Sequence, residues 1–311
     1  MPPEVRREFR GVWVATVANI DWPARAGSST ERQKQELIGI MERAAATGLN
    51  AVIFQVRPAC DALYASQIEP WSEYLTGTQG KAPNPFYDPL EFAIAEAHKR
   101  GLELHAWFNV FAAGSTAPGA PAQQHPEWIC RDRDGIPMTS SIALSPGLQA
   151  VRDYTKNVAM EIVRNYDIDG LHLDYIRWNE YTNSAKSKEF EKLQQEMNLL
   201  DGEITDEQIE ELTTNLAGRY LYDVEHPYSA GVPSGFSSWE DWWRWSVTEF
   251  VKTLHDSIQA VKPYVRLSVA ALGKYNWSGW NGYNIVYQDA ALWFNQGYIE
   301  QIAGMHYHWT T

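Results

Sequence analysis

The sequence predicts an α/β fold of the (β/α)8 barrel class, and three observations lead there. Short runs rich in Val, Ile and Leu read as buried parallel strands, because a strand covered on both faces needs no polar alternation. Each run is followed by a segment with helical period, giving repeated β–α units with right-handed crossovers. The length of 311 residues, 44% of them hydrophobic, suits one large domain over 1–311, since such barrels take ~250 residues or more. No Gly-x-Gly-x-x-Gly follows the first strand and no phosphate loop occurs, so a doubly wound dinucleotide-binding sheet lacks its signature.

The elements follow in order. Gly11 to Val17 is apolar and Val-rich, and reads as the first strand. Thr30 with Gln33 has the spacing of a capping box, Leu37, Ile38, Met41 and Ala45 mark one helical face, and Gly48 ends it. Ala51 to Val56 is the second strand. Asp88-Pro89 caps a helix running to Gly101, and Leu102 to Val110 is the third strand. Ser145-Pro146 starts a helix with Val151, Tyr154, Val158 and Ile162 in register, followed by the fourth strand, Gly170 to Tyr175. A polar stretch over 179–236, with amphipathic pieces, reads as a helical insertion after strand four. Ser238 with Asp241 opens a helix carrying Val247, Val251, Leu254, Ile258 and Val261, followed by Pro263. Arg266 to Leu272 is the fifth strand, Asp289 to Gln296 a short helix, and Ile302 to Tyr307 the sixth strand. A closed barrel has eight strands. Either the chain is cut after strand six, or two strands lie hidden in its loops.

Composition narrows the function classes. A formal net charge of −13 disfavours nucleic acid and anionic membrane as partners, because like charges repel. No apolar run reaches the ~20 residues of a membrane helix. Fourteen Trp and 16 Tyr suit stacking on the apolar faces of sugars. Cys60 and Cys130 are the only cysteines and make no Cys-x-x-Cys pair. No signal-peptide pattern is present after Met1.

In such barrels the active site gathers at the C-terminal ends of the strands, and residues two apart share a face. The candidates are then Gln55 and Arg57 on strand two, His105, Trp107 and Asn109 on strand three, and His172 and Asp174 on strand four. Strand six offers Met305 with Tyr307, or His306 with His308. Polar groups at strand tops are costly to bury unless paired or used. Asp174 stands foremost, since glycoside cleavage needs a carboxylate as nucleophile or as an anion facing the oxocarbenium-like transition state. The competing structural reading is an ion pair with Arg177 or Arg57. A second carboxyl must serve as general acid, and Glu180, Asp61 and Asp21 are the candidates. Trp22 and Trp71 join the aromatic candidates for sugar binding; Trp71 and Tyr74 serve equally well as rim caps. A zinc site built from His105, His172, Asp174, His306 and His308 lacks a His-Glu-x-x-His motif, so neither a metal nor an organic cofactor is expected.

Six blocks stand out in order along the chain. The first are Phe9-Arg10-Gly11-Val12-Trp13-Val14-Ala15-Thr16-Val17 with Asn19-Ile20-Asp21-Trp22-Pro23, then Phe54-Gln55-Val56-Arg57-Pro58 and Pro70-Trp71-Ser72-Glu73-Tyr74-Leu75-Thr76-Gly77. His105-Ala106-Trp107-Phe108-Asn109, Asp169-Gly170-Leu171-His172-Leu173-Asp174-Tyr175-Ile176-Arg177 and Ile302-Ala303-Gly304-Met305-His306-Tyr307 complete the set. Together they resemble the glycosyl hydrolase-like 10 family of bacterial TIM-barrel proteins. The resemblance implies a TIM barrel that continues for two more strands. It also implies export to the periplasm or cell surface, often as a lipoprotein, and action on bacterial polysaccharide, with peptide-free peptidoglycan strands as the expected substrate. It further implies Asp174 as catalytic carboxylate, with Arg57, Asp61, Asn109, Tyr175 and Arg177 in the pocket. The broader amylase-like barrels are similar at strand four, but they carry a Glu ending strand five where this chain has Leu272-Gly273-Lys274-Tyr275, and an Arg where it has His172.

Overall fold

The computed structural model describes residues 8–114, 117–139, 141–178, 221–277 and 280–306. Among them the strands are β1 (Gly11–Val14), β2 (Ala51–Arg57), β3 (Glu103–Asn109), β4 (Ala112–Gly114), β5 (Ile142–Ala143), β6 (Gly170–Asp174), β7 (Arg266–Leu272) and β8 (Gln301–Met305). The helices are α1 (Thr30–Ala46), α2 (Glu73–Thr76), α3 (Pro89–His98), α4 (Pro121–Gln124), α5 (Gln149–Asn165), α6 (Trp239–Val261), α7 (Gly282–Ile285) and α8 (Ala290–Asn295). Six strands form one parallel sheet in the order β1-β2-β3-β6-β7-β8, a half-barrel with helices packed on it. These are the six strands expected. The pair β4–β5 is antiparallel and sits in the long connection after β3, where sequence patterning gave no strand.

Local chemistry explains most boundaries. Helix α1 buries Leu37, Met41 and Ala44, but its cap is Ser29, whose hydroxyl accepts the Arg32 N–H. The expected Thr30–Gln33 box is absent: Thr30 donates to the Pro85 carbonyl, and Gln33 donates to the Ser28 and Leu75 carbonyls. Asp88 caps α3 through the Leu90 and Glu91 N–H groups, and Ser238 caps α6 through that of Asp241, both as expected. Helix α5 starts at Gln149 rather than Ser145, because the Ser145 hydroxyl donates instead to Asp223 at 2.7 Å. The first strand ends at Val14, since Ala18 and Asn19 turn the chain left-handed.

Of the expected insertion, 179–220 lies outside the described residues. The segment from Leu221 returns to the half-barrel, with Tyr222 exchanging backbone hydrogen bonds with Arg131. It packs under Trp239 and Trp243 of α6.

Gly170 shows how the inner face of the sheet is shaped. It lies directly opposite His105, and a Cβ placed there would stand 2.2 Å from the ring Nδ1. His105 is held by Phe9, Glu103 and Arg266 and has little room to retreat. Gly170→Ala is therefore expected to destabilise the fold by about 1–3 kcal/mol, measured by denaturant unfolding. The cost should shrink when His105→Ala is added; an undiminished cost in the double variant would place the strain elsewhere.

Candidate active site

Strand register brings the chemistry to one end of the sheet. Gln55 pairs with Trp107, Trp107 with His172 and His172 with Ser268, and one step higher Asn109 pairs with Asp174. Trp107, Asn109, His172 and Asp174 thus share the inner face, as expected from alternation.

Asp174 closes β6. Its Oδ1 accepts the Tyr175 N–H at 2.7 Å, and its backbone carbonyl accepts the Val110 N–H at 2.8 Å. The Trp107 indole reaches both Asp174 and the Asn109 Oδ1, the latter at 2.8 Å. Asn109 is fixed in turn by donating to the Pro58 carbonyl at 2.7 Å. Burial pushes the Asp174 carboxyl above its ordinary range, while nearby Arg177, the Tyr175 N–H and the Trp107 indole pull it back. The residue after it is strained: Tyr175 sits at φ 49°, a left-handed conformation that a bulky side chain adopts at a cost of about 1–2 kcal/mol. That turn leaves the ring 38% exposed and sets it 4.7 Å from the Arg177 guanidinium. Trp280, 37% exposed, approaches the same guanidinium at 5.7 Å. The result is a half-buried carboxylate beside a cation flanked by two exposed aromatic rings. That arrangement suits binding a sugar ring and stabilising positive charge on its anomeric carbon.

His172 is buried one layer below. The Trp13 indole N–H points at its Nε2 at 3.3 Å, and indole only donates, so Nε2 is the acceptor. Nδ1 then carries the proton and donates to the Ser268 hydroxyl at 2.8 Å. Burial, with a smaller contribution from His105, pushes the His172 pKa down to about 3. This neutral imidazole supports the wall of the site. Among the described residues no three His, Cys, Asp or Glu side chains converge as a metal site.

Two of the expected binding residues lie elsewhere. Trp22 has no exposed surface; it packs edge-on against Phe54 in the core, and its indole donates to the Gln33 carbonyl at 2.9 Å. Arg57 does not share a face with Gln55. The pairing skips a residue between them, so that Arg57 falls opposite Phe108. This bulge turns its side chain to the outer face of the sheet, because each one-residue slip reverses direction. There it is fully buried, stacks on Phe108 at 4.4 Å, and makes a two-pronged ion pair with Glu69 at 2.8 and 2.6 Å. It also donates to the Asn109 and Val110 carbonyls, so it braces the end of β3.

The other candidates occupy loops around the rim. Asp61 is 4% exposed and accepts from the Ala59 N–H at 3.0 Å and from the Ser72 hydroxyl. Burial lifts its carboxyl to about 6 against those hydrogen bonds. Asp21 accepts the Ala15 N–H at 2.8 Å and lines a cavity of about 310 Å³ between β1 and α1. Trp71 is half-buried and meets Phe86 edge-on at 6.2 Å. No hydrogen bond or ion pair among the described residues joins Asp174 to Asp21 or Asp61. Glu180 and Tyr307 lie outside the described residues. Trp280 and Glu69 were not singled out from the sequence. Trp280 belongs to the loop after β7, and only its distance to Arg177 marks it.

A parallel half-barrel bearing a carboxylate and exposed aromatics at the C-terminal ends of its strands has the design of barrel glycosidases. A family model described as glycosyl hydrolase-like 10 matches residues 8–311, and the chain belongs to that family. Glycosyl hydrolase YngK of Bacillus subtilis (strain 168) is 34% identical over 319 residues, covering 97% of this chain and 54% of that protein. Glycosyl hydrolase DigH of Escherichia coli (strain K12) is 30% identical over 332 residues, covering 96% of this chain and 65% of that protein. The chain thus spans between half and two thirds of the length of these relatives. Among solved structures, the GH36 alpha-galactosidase AgaA from Geobacillus stearothermophilus aligns with a TM-score of 0.52 at 10% identity. The alignment covers 97% of this chain and 31% of that one, and the likeness is one of fold.

Proposed function

We propose that this chain is the catalytic barrel of a glycoside hydrolase acting on bacterial cell-wall polysaccharide, with peptide-free peptidoglycan strands as substrate. The observation that carries this reading is Asp174, held at a strand tip between Trp107, Tyr175 and Arg177. Asp174 is the central carboxylate, either nucleophile or electrostatic partner of the oxocarbenium-like centre. Glu180, six residues on, is our choice for the general acid. A substrate of this kind places the protein outside the cytoplasm, in the periplasm or at the cell surface.

The test is to incubate the protein with peptide-free peptidoglycan strands, chitin and starch, and to identify products by mass spectrometry. Short muro-oligosaccharides from the first substrate alone are the expected result. Products from chitin or starch as well would remove the substrate assignment.

A second reading is a barrel that holds glycan without cutting it. One observation favours it: β7 ends at Leu272 and is followed by Gly273, so its tip carries no carboxylate. Saturable binding of the strands with no product, in a protein carrying intact Asp174 and Glu180, would establish that reading instead.

A further inference from the structure

We propose that Arg177 is the specificity-determining residue of this site, pairing with the carboxylate of an acidic sugar in the substrate. The inference rests on the glycan reading above and specifies its chemistry.

The arginines of this protein are mostly committed. Arg57 pairs with Glu69, Arg100 with Glu42 and Glu96, Arg244 with Asp241, and Arg266 with Glu103. Arg177 differs. Among the described residues its side chain makes no hydrogen bond and no ion pair, and its Nε is already shut away from water without a partner. A desolvated donor left unpaired is a cost that folding does not recover, and a ligand acceptor would recover it. The guanidinium is held between two exposed rings, Tyr175 at 4.7 Å and Trp280 at 5.7 Å. A guanidinium is planar by resonance, and rings against its faces leave its edge N–H groups free of aromatic contact, the geometry that meets a carboxylate with two parallel hydrogen bonds. Asp174 does not occupy that role: its Oδ1 accepts the Tyr175 N–H, and it attracts Arg177 without contact.

The surroundings sharpen the selection. With a formal net charge of −13, the protein repels anions at long range. An unpaired cation beside the central carboxylate is then a local exception, and it positions an acidic group close to the bond to be cut. A neutral glycan would leave the fork unpaired and lose that contact.

The experiment compares two probes: peptide-free peptidoglycan strands, whose lactyl groups end in free carboxylates, and the same strands with those carboxylates reduced to alcohols. Rates are measured for the wild type, Arg177→Met and Arg177→Lys. The wild type is expected to favour the acidic strand by about 30-fold in kcat/KM, the worth of a charge-assisted hydrogen-bond pair. That preference should collapse in Arg177→Met and survive in part in Arg177→Lys, which keeps the charge but not the fork. Equal treatment of both strands by the wild type overturns the proposal. So does an Arg177→Met variant that keeps the preference and only moves the acid limb of the pH profile upward, because Arg177 would then act on Asp174 alone. If neither strand is cut, the hydrolase reading fails, and binding decides this inference separately. Tryptophan fluorescence should then report tighter binding of the acidic strand, lost in Arg177→Met; equal or absent binding overturns it.

Discussion

Asp174→Asn is expected to abolish glycan cleavage, by on the order of 10³-fold or more in kcat, while leaving the protein at least as stable as the wild type. The amide keeps the shape and an oxygen acceptor for the Tyr175 N–H, so the tip of β6 should hold its geometry. In the proposed mechanism it removes the anion that faces the developing positive charge. The stability half follows from the direction of the pKa. Burial raises the folded-state value above that of an unfolded aspartate. The linked stability is therefore present below the unfolded pKa and lost as pH rises through the folded one. At neutral pH the ionised carboxylate is a stability cost, which is what the proposed catalytic role of Asp174 requires. A product assay and a thermal melt on the same preparation check both halves. Full activity in the variant would remove Asp174 from the mechanism, and a large fall in Tm would recast it as a structural residue. The wild-type pH profile carries a related expectation: if Asp174 works ionised, its acid limb lies above the ordinary aspartate range.

The largest stability effect is expected at a residue the sequence had placed in the pocket. Arg57→Met leaves the Glu69 carboxylate buried, with the Tyr154 hydroxyl at 3.0 Å as its remaining side-chain partner. Removing one member of a buried pair strands the other, at about 3–5 kcal/mol, which lowers Tm by roughly 10 °C. Adding Glu69→Leu should restore most of the stability, since an apolar pair of similar volume no longer carries a buried charge. Unfolding of both variants in denaturant checks this. A mild loss in Arg57→Met, with activity gone, would return Arg57 to a direct role in the site.

These two residues show where sequence reasoning succeeds and where it stops. Asp174 was legible because its position depends on neighbours in the chain: an apolar strand, alternation, and a polar tip followed by the Arg177 that tunes it. The caps at Asp88 and Ser238 were legible for the same reason. Arg57 was misplaced because alternation was carried through a bulge, and no local residue pattern announces one. Trp22 was misplaced because an aromatic near a strand end serves core and rim equally well. Only the contact with Phe54 and the Gln33 carbonyl decides.

The order of six strands and their helices, the parallel class of the fold, and the carboxylate at the tip of β6 are all written in the chain. All of these follow from periodicity and chemistry within short windows of chain. The tertiary structure alone decided which face Arg57 takes, that Trp22 belongs to the core, and that Trp280 closes on Arg177 from more than a hundred residues away. These outcomes depend on register and on contacts between distant segments, which form only when the sheet curls and its loops meet at one end.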